Sequence, residues 1–212
     1  VDGRKLFIGW MSNWDYAQKV PTETWRSSMT IPRELVLVKD SGHYIVSSKP
    51  VKELQNYIAK TIKKESLKID KETVLADKTL VDLSKLDIHF SLKNLKKDVY
   101  TFSLSNDAKN TIQFGINKKE NYFFIDRSKS GKLAFSNLFA KNISKAPFKG
   151  DFDKMDIRII VDKTSIEIFY NNGKTVMTEI FFPEKPMETF SVTKENFDFT
   201  IENLTINQLN FN

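Results

Sequence analysis

The sequence predicts an all-β protein built around an antiparallel sandwich, and three observations carry that prediction. Apolar residues recur mainly at every second position, the period of a strand with one buried face. The runs are short and separated by polar turns, at the spacing of sandwiches and barrels. Seventeen Phe stand against only seven Gly, which fits a well-filled core better than a linker-rich array.

The clearest strands lie between Met155 and Phe182. Ile157, Ile159 and Val161 alternate with Arg158, Ile160 and Asp162; after a turn at Lys163, Ile166, Ile168 and Tyr170 alternate with Glu167 and Phe169. Asn171-Asn172-Gly173 supplies the positive-φ positions of a tight hairpin, Val176 to Phe182 returns as its partner, and Pro183 ends it. Further strands are expected at Lys5–Trp10, Met29–Val38, Tyr44–Ser47, Leu86–Leu92, Val99–Leu104, Thr111–Asn117, Tyr122–Asp126, Leu133–Phe135 and Phe197–Phe211. One segment departs from period two. After Pro50, Val51, Leu54, Ile58 and Ala59 fall at three-to-four spacing, which reads as a short helix over 51–60. The lysine-rich 60–72 stretch has mixed character. The chain therefore divides into a strand-rich piece at 1–50, a helical connector at 51–60 and a sandwich at 61–212. About 150 residues suffice to bury some two-thirds of their unfolded surface.

Composition narrows the function. The net charge is +6, but lysines and acids alternate throughout, and the densest basic spots are pairs such as Lys63-Lys64, Lys96-Lys97 and Lys118-Lys119. None forms the continuous stripe of a phosphate-binding surface, so a nucleic-acid partner is not expected. The absence of Cys excludes disulfides, thiolate nucleophiles and Cys-ligated zinc. With only His43 and His89, neither a histidine-rich metal site nor a Ser-His-Asp triad is expected, and no cofactor is implied. No stretch approaches the roughly 18 apolar residues of a membrane span. Val1-Asp2-Gly3-Arg4 runs straight into an apolar strand, and we expect the chain to be a piece of something longer.

All three Trp residues, Trp10, Trp14 and Trp25, lie in the first 25 positions, among Ser12, Asn13, Asp15 and Tyr16. Such a loop suits carbohydrate, because indoles cover the apolar face of a sugar while amide and carboxylate groups bond its hydroxyls. It equally suits a loop that pins itself with aromatic anchors, and composition alone favours that second reading.

The wider pattern is more specific. Gly9-Trp10-Met11-Ser12-Asn13-Trp14-Asp15-Tyr16-Ala17, Val20-Pro21-Thr22 and the run from Trp25 to Leu35 together resemble the last conserved block of the catalytic domain in glycoside hydrolase family 32, which holds invertases, levanases and inulinases. Phe123 to Ser128 with Gly131, and Ile160 to Phe169 continuing through Asn172-Gly173-Lys174, are similar to the family's C-terminal sandwich. The resemblance implies strands of the last blade of a five-bladed β-propeller at 1–50, followed by the sandwich. It implies a parent that cleaves β-fructofuranosyl bonds with retention, using two carboxylates about 5–5.5 Å apart. The family's motifs for these acids are of Asn-Asp-Pro-Asn, Arg-Asp-Pro and Glu-Cys-Pro type. None occurs here, so no catalytic residue is assigned and the chain alone is expected to be inactive.

One position carries over: the Trp of the Ser-Asn-Trp triplet, which lines the fructose pocket in the family, is Trp14. Trp10, Asn13 and Asp15 are ranked below it as substrate neighbours. Arg26, Arg33 and Glu34 are read as an ion-pair network around the blade, and Asp126-Arg127 and Glu167 as solvated charges. The implied partners are a fructan or sucrose and the remaining propeller of the same protein, in a secreted or periplasmic setting. The competing reading is a free-standing carbohydrate-binding or adhesion sandwich.

Overall fold

Alternation of apolar and polar side chains in this sequence resolves into fifteen strands and two 3-10 helices in a computed structural model that describes residues 2–40 and 42–211. Val1, Ser41 and Asn212, which fall at the limits of or within the expected divisions, lie outside the described residues. The N-terminal strands are β1 (Lys5–Phe7), β2 (Arg33–Asp40) and β3 (His43–Pro50), which form an antiparallel sheet in the order β1-β2-β3. The first 3-10 helix, Ala17–Lys19, lies in the loop between β1 and β2, and the second is Lys52–Tyr57.

The remaining strands are β4 (Ile58–Ile69), β5 (Thr73–Asp77), β6 (Lys85–Lys93), β7 (Val99–Ser105), β8 (Thr111–Asn117) and β9 (Tyr122–Lys129). They continue with β10 (Ser144–Pro147), β11 (Lys154–Asp162), β12 (Ser165–Tyr170), β13 (Thr175–Ile180), β14 (Thr189–Lys194) and β15 (Phe199–Leu209). They form two antiparallel six-stranded sheets, β10-β9-β8-β7-β14-β5 and β13-β12-β11-β6-β15-β4. The all-β sandwich predicted from the sequence is thus what the chain forms.

Between the sheets lies one continuous apolar layer. Leu86, Ile88, Phe90 and Leu92 of β6 and Ile157, Ile159 and Val161 of β11 face it from one side. From the other side come Phe102, Phe114 and Phe190, whose rings stack at centroid separations of 5.7 to 6.4 Å. Three such rings bury enough apolar area to dominate their part of the core, at about 25 cal/mol per Å² removed from water.

Three local expectations change. The helix expected over 51–60 ends at Tyr57, is of 3-10 type, and gives way to β4 at Ile58. Val51, Leu54 and Tyr57 recur every third residue, the 3-10 repeat, and of the helical residues only Leu54 is buried. The lysine-rich 60–72 stretch is mostly β4, an edge strand whose exposed lysines discourage pairing with another chain. Leu133–Phe135 is not a strand. It packs instead on a second cluster made by Tyr16, Val20, Phe139, Ile180 and Phe182.

The outer face of β12 is covered as well, so all six of its residues are buried. Leu54, Ile160, Phe169 and Leu209 form a third cluster there, where the second 3-10 helix lies on the sheet. The hairpin tip meets the N-terminal sheet through its own main-chain carbonyls. The Ser48 N–H donates to the Gly173 carbonyl at 3.0 Å, and the Ser47 hydroxyl donates to the Asn172 carbonyl at 2.7 Å. Gly173 has φ +78, and a Cβ there would fall 2.0 Å from the Ser48 carbonyl oxygen. Only glycine fits.

Candidate functional site

The tryptophan-rich loop is closed at its base by a short ladder. Trp10 bridges Met29, the Thr30 N–H donates to the Gly9 carbonyl at 2.8 Å, and the Met11 N–H donates to the Ser28 carbonyl at 2.9 Å. At its tip, Asn13 organises the turn. Its side-chain oxygen accepts from the Asp15 N–H at 3.0 Å, and its carbonyl accepts from the Ala17 N–H at 3.0 Å. Tyr16, Ala17 and Val20 turn inward and are buried, while Asn13, Trp14 and Asp15 face solvent. Trp14 is 84% exposed. Its ring lies 5.2 Å from that of Trp10, centroid to centroid, with the planes tilted by 58°.

Of the four residues singled out from the sequence, Trp10 and Trp14 meet in space, and Asn13 and Asp15 flank them on the same turn. Trp25 is separate and half-exposed, on a segment fastened by the Arg26 guanidinium donating to the Val20 carbonyl at 2.9 Å. Two adjacent, outward-facing indoles beside an amide and a carboxylate can cover and bond a polyhydroxylated ring.

The loop is held from below by the sandwich. Tyr16 packs edge-on to Phe139 at 5.1 Å, and Arg127 lies 4.3 Å from the centre of the Phe139 ring. Arg127 also donates to the Ile180 carbonyl at 2.8 Å and pairs with Glu179 at 3.0 Å. Arg127 is therefore a buried anchor rather than the solvated charge expected from the sequence, whereas Asp126 only accepts from the Ser128 N–H at 2.8 Å.

Glu167 overturns its expectation more completely, being 2% exposed. It accepts from the Ile31 N–H at 2.8 Å, from Arg33 Nε at 3.0 Å and, closer still, from Arg33 Nη2. Arg33 donates further to the Thr178 hydroxyl at 2.7 Å and stands 5.1 Å from the Phe169 ring centre. The Arg33 network was expected to run around the blade; it runs instead into the sandwich. Burial pushes the Glu167 carboxyl above the usual carboxylate range, against the pull of the Arg33 charge and the Ile31 N–H.

Sequence reasoning missed a second polar locale altogether. A cavity of about 310 Å³ lies between the outer face of the β12-β11-β6-β15 sheet and the end of β3 with the second 3-10 helix. Asp87 and Arg158 form its floor, joined by two hydrogen bonds of 2.8 Å, beside His89 and Asn207. The only signal in the sequence was the alternation of polar residues along single strands. Strand register brings them together: Arg158 opposes His89, His89 opposes Thr205, and Asp87 opposes Asn207. Among the described residues no group of three or more His, Cys, Asp or Glu could hold a metal ion, and no helix is long and apolar enough to cross a membrane.

An antiparallel sandwich braced against a separate sheet that presents paired indoles defines an all-β protein suited to contact with sugars. Comparison with known proteins narrows the class. The sequence matches the N-terminal domain of glycosyl hydrolases family 32 over residues 1–50 and the C-terminal domain of the same family over residues 53–208. The chain belongs to glycosyl hydrolase family 32. A levanase of Bacillus subtilis (strain 168) is 33% identical over 211 residues, covering 99% of this chain and 31% of the relative. An extracellular exo-inulinase of Aspergillus niger is 31% identical over 182 residues, covering 84% of this chain and 34% of the relative. The chain thus spans about a third of the length of these relatives. The solved β-fructofuranosidase of Schwanniomyces occidentalis in complex with fructosyl-erythritol shares the fold. Its TM-score is 0.80 at 24% identity, over 97% of this chain and 45% of that one.

Proposed function

We propose that this chain is the C-terminal part of a secreted or periplasmic hydrolase that cleaves β-fructofuranosyl bonds in levan, inulin or sucrose. Residues 1–50 are strands of its last propeller blade, 51–57 the connector and 58–212 the sandwich. The nucleophile and acid belong to upstream blades, so these 212 residues alone have no hydrolytic activity. The observation that carries the reading is Trp14, held outward beside Trp10 on a loop whose Ser12-Asn13-Trp14 sequence is the family's fructose-pocket triplet. The N-terminal sheet supports it too. Leu6 on one face of the sheet and Leu37 and Val46 on the other are exposed, apolar surface that neighbouring blades would cover and that a free-standing binding module would have no reason to keep.

Covering about 80 Å² of sugar and indole is worth roughly 2 kcal/mol at 25 cal/mol per Å². Trp14→Ala in the full-length parent should therefore lower kcat/KM by about thirtyfold on levan, inulin and sucrose alike. Unchanged kinetics in a folded variant would refute the assignment of Trp14. Fructose release by the purified 212-residue chain, at the rate of an ordinary glycosidase, would refute the placement of the catalytic acids upstream.

A further inference from the structure

We infer that Arg127, a residue of the sandwich, is a positioning residue for the sugar-facing turn: it holds Tyr16 in place and, through it, the outward setting of Trp14. That the turn faces a sugar rests on the reading of Trp14 given above. Arg127 belongs to the Phe123 to Ser128 run with Gly131, a motif for which the proposed chemistry has no other use. Alternation along β9 sends Phe123 and Ile125 into the main core. The register with β8 then slips: Gln113 opposes Asp126 and Thr111 opposes Lys129, so Arg127 and Ser128 share the single position opposite Ile112. A bulge of this kind re-aims a side chain. Arg127 stays buried but lies over rings of the second cluster, 4.3 Å from the centre of Phe139 and 6.0 Å from that of Tyr16. Gly131 brings the chain back against the same cluster. Its φ is +122, a Cβ there would fall 2.3 Å from the Phe182 carbonyl oxygen, and the next N–H, that of Lys132, donates to this oxygen at 2.8 Å.

The guanidinium is spent on direction. Nη1 donates to the Ile180 carbonyl at 2.8 Å and pairs with Glu179 at 3.0 Å, while Nη2 reaches toward the Tyr16 hydroxyl at 3.5 Å. Nε is buried and has no partner among the described residues. As a source of stability this is a poor arrangement, because a buried ion pair does little better than apolar side chains of the same volume, and an unbonded N–H lowers its worth further. What a planar fork does supply is a fixed orientation, here held by two oxygens of β13 and set against Phe139 and Tyr16. The turn has little else to fix its inner side. Tyr16 and Val20 are its buried contributions to the second cluster, and the other buried members, Phe139, Ile180 and Phe182, all belong to the sandwich. Tyr16 and Trp14 share one closed turn, since the Asn13 carbonyl accepts from the Ala17 N–H. A shift of the Tyr16 ring therefore passes to Trp14 across a single intervening residue.

The test uses Arg127→Met and Phe139→Leu; the second keeps the Arg127–Glu179 pair, removes the ring that Arg127 and Tyr16 both touch, and carries both arms of the test if the first does not fold. In the 212-residue chain, the indoles of Trp10 and Trp14, 5.2 Å apart and tilted by 58°, should give an exciton couplet in circular dichroism that Trp10→Phe abolishes. Both variants should weaken this couplet while the sandwich remains folded in the absence of urea. In the full-length parent, both should lower kcat/KM on levan and inulin about tenfold, and Arg127→Lys should regain part of the loss. In a Trp14→Ala background the same substitutions should cost less than about twofold, because the contact they serve is already gone. Equal losses in the two backgrounds, or an undiminished couplet in both variants, overturn the inference. If Trp14→Ala alone leaves the kinetics unchanged, the reading of Trp14 as a sugar contact falls, and the couplet decides whether Arg127 sets the turn.

Discussion

Glu167→Ala should unfasten the N-terminal sheet while leaving the sandwich folded. The substitution removes the acceptor of three hydrogen bonds, one from the Ile31 N–H and two from Arg33. It strands the Arg33 guanidinium, itself buried, with only the Thr178 hydroxyl and the Phe169 ring face for company. Breaking a buried ion pair from one side costs about 3–5 kcal/mol, most of it the burden of the charge left behind. All three Trp residues lie within residues 10–25, so tryptophan fluorescence reports the N-terminal part, whereas far-UV circular dichroism is dominated by the twelve sandwich strands. In urea, with m about 1–3 kcal/mol/M, the fluorescence midpoint should fall by at least about 1 M and separate from the dichroism midpoint. Adding Arg33→Met should restore much of the loss, because the stranded charge goes with it. Coincident midpoints unchanged from the parent sequence, or a full further loss in the double variant, would show that the pair does not hold the two parts together.

Two further outcomes follow from other buried groups. Asp98 is fully buried. Burial pushes its carboxyl up, but donation from the N–H groups of Phe197 and Asn196 at 2.8 Å, and from the Asn196 amide at 2.9 Å, outweighs it and leaves the group below the usual range. A depressed folded value means its stabilisation is present above the unfolded Asp value near 3.9 and is lost as pH falls through the folded one. Asp98→Asn should therefore cost about 2–3 kcal/mol at pH 7, with the gap to the parent closing below pH about 4; a constant gap down to pH about 2 would contradict this. Gly173→Ala should lose about 1–2 kcal/mol from its left-handed backbone alone, and more as the new Cβ pushes Ser48 away. Hydrogen exchange at the Ser48 amide would reveal that displacement, and unchanged protection there would contradict it.

How much of this was legible in the sequence depended on whether a strand carries its own signal. β6, β7, β8 and β11 announce themselves because alternate residues face one deep core. β4 does not. Its apolar positions Ile62, Leu67 and Ile69 are interrupted by lysines that belong to an exposed edge, and their spacing mimics neither period. β14 is six residues long and gains its place from β7 and β5 on either side. The meeting of Trp10 and Trp14 was legible, as residues close in sequence remain close in space. Glu167 was not, since its partner Arg33 stands 134 positions away and only docking of the two sheets tells a buried acid from a solvated one. The polar cavity was hidden for the same reason.

Tyr16 sits two residues after Trp14, yet its ring is embedded among Phe139, Ile180 and Phe182 of the sandwich. A chimera spliced at residue 50 would join two sequences at a natural seam and still tear a seam in space. The grafted sandwich would present foreign side chains where Tyr16 and Val20 expect a socket, and the turn carrying Trp14 would lose its footing without a single change in its own sequence. Exchange of sandwiches between relatives should then succeed only when the socket travels with the loop that fills it.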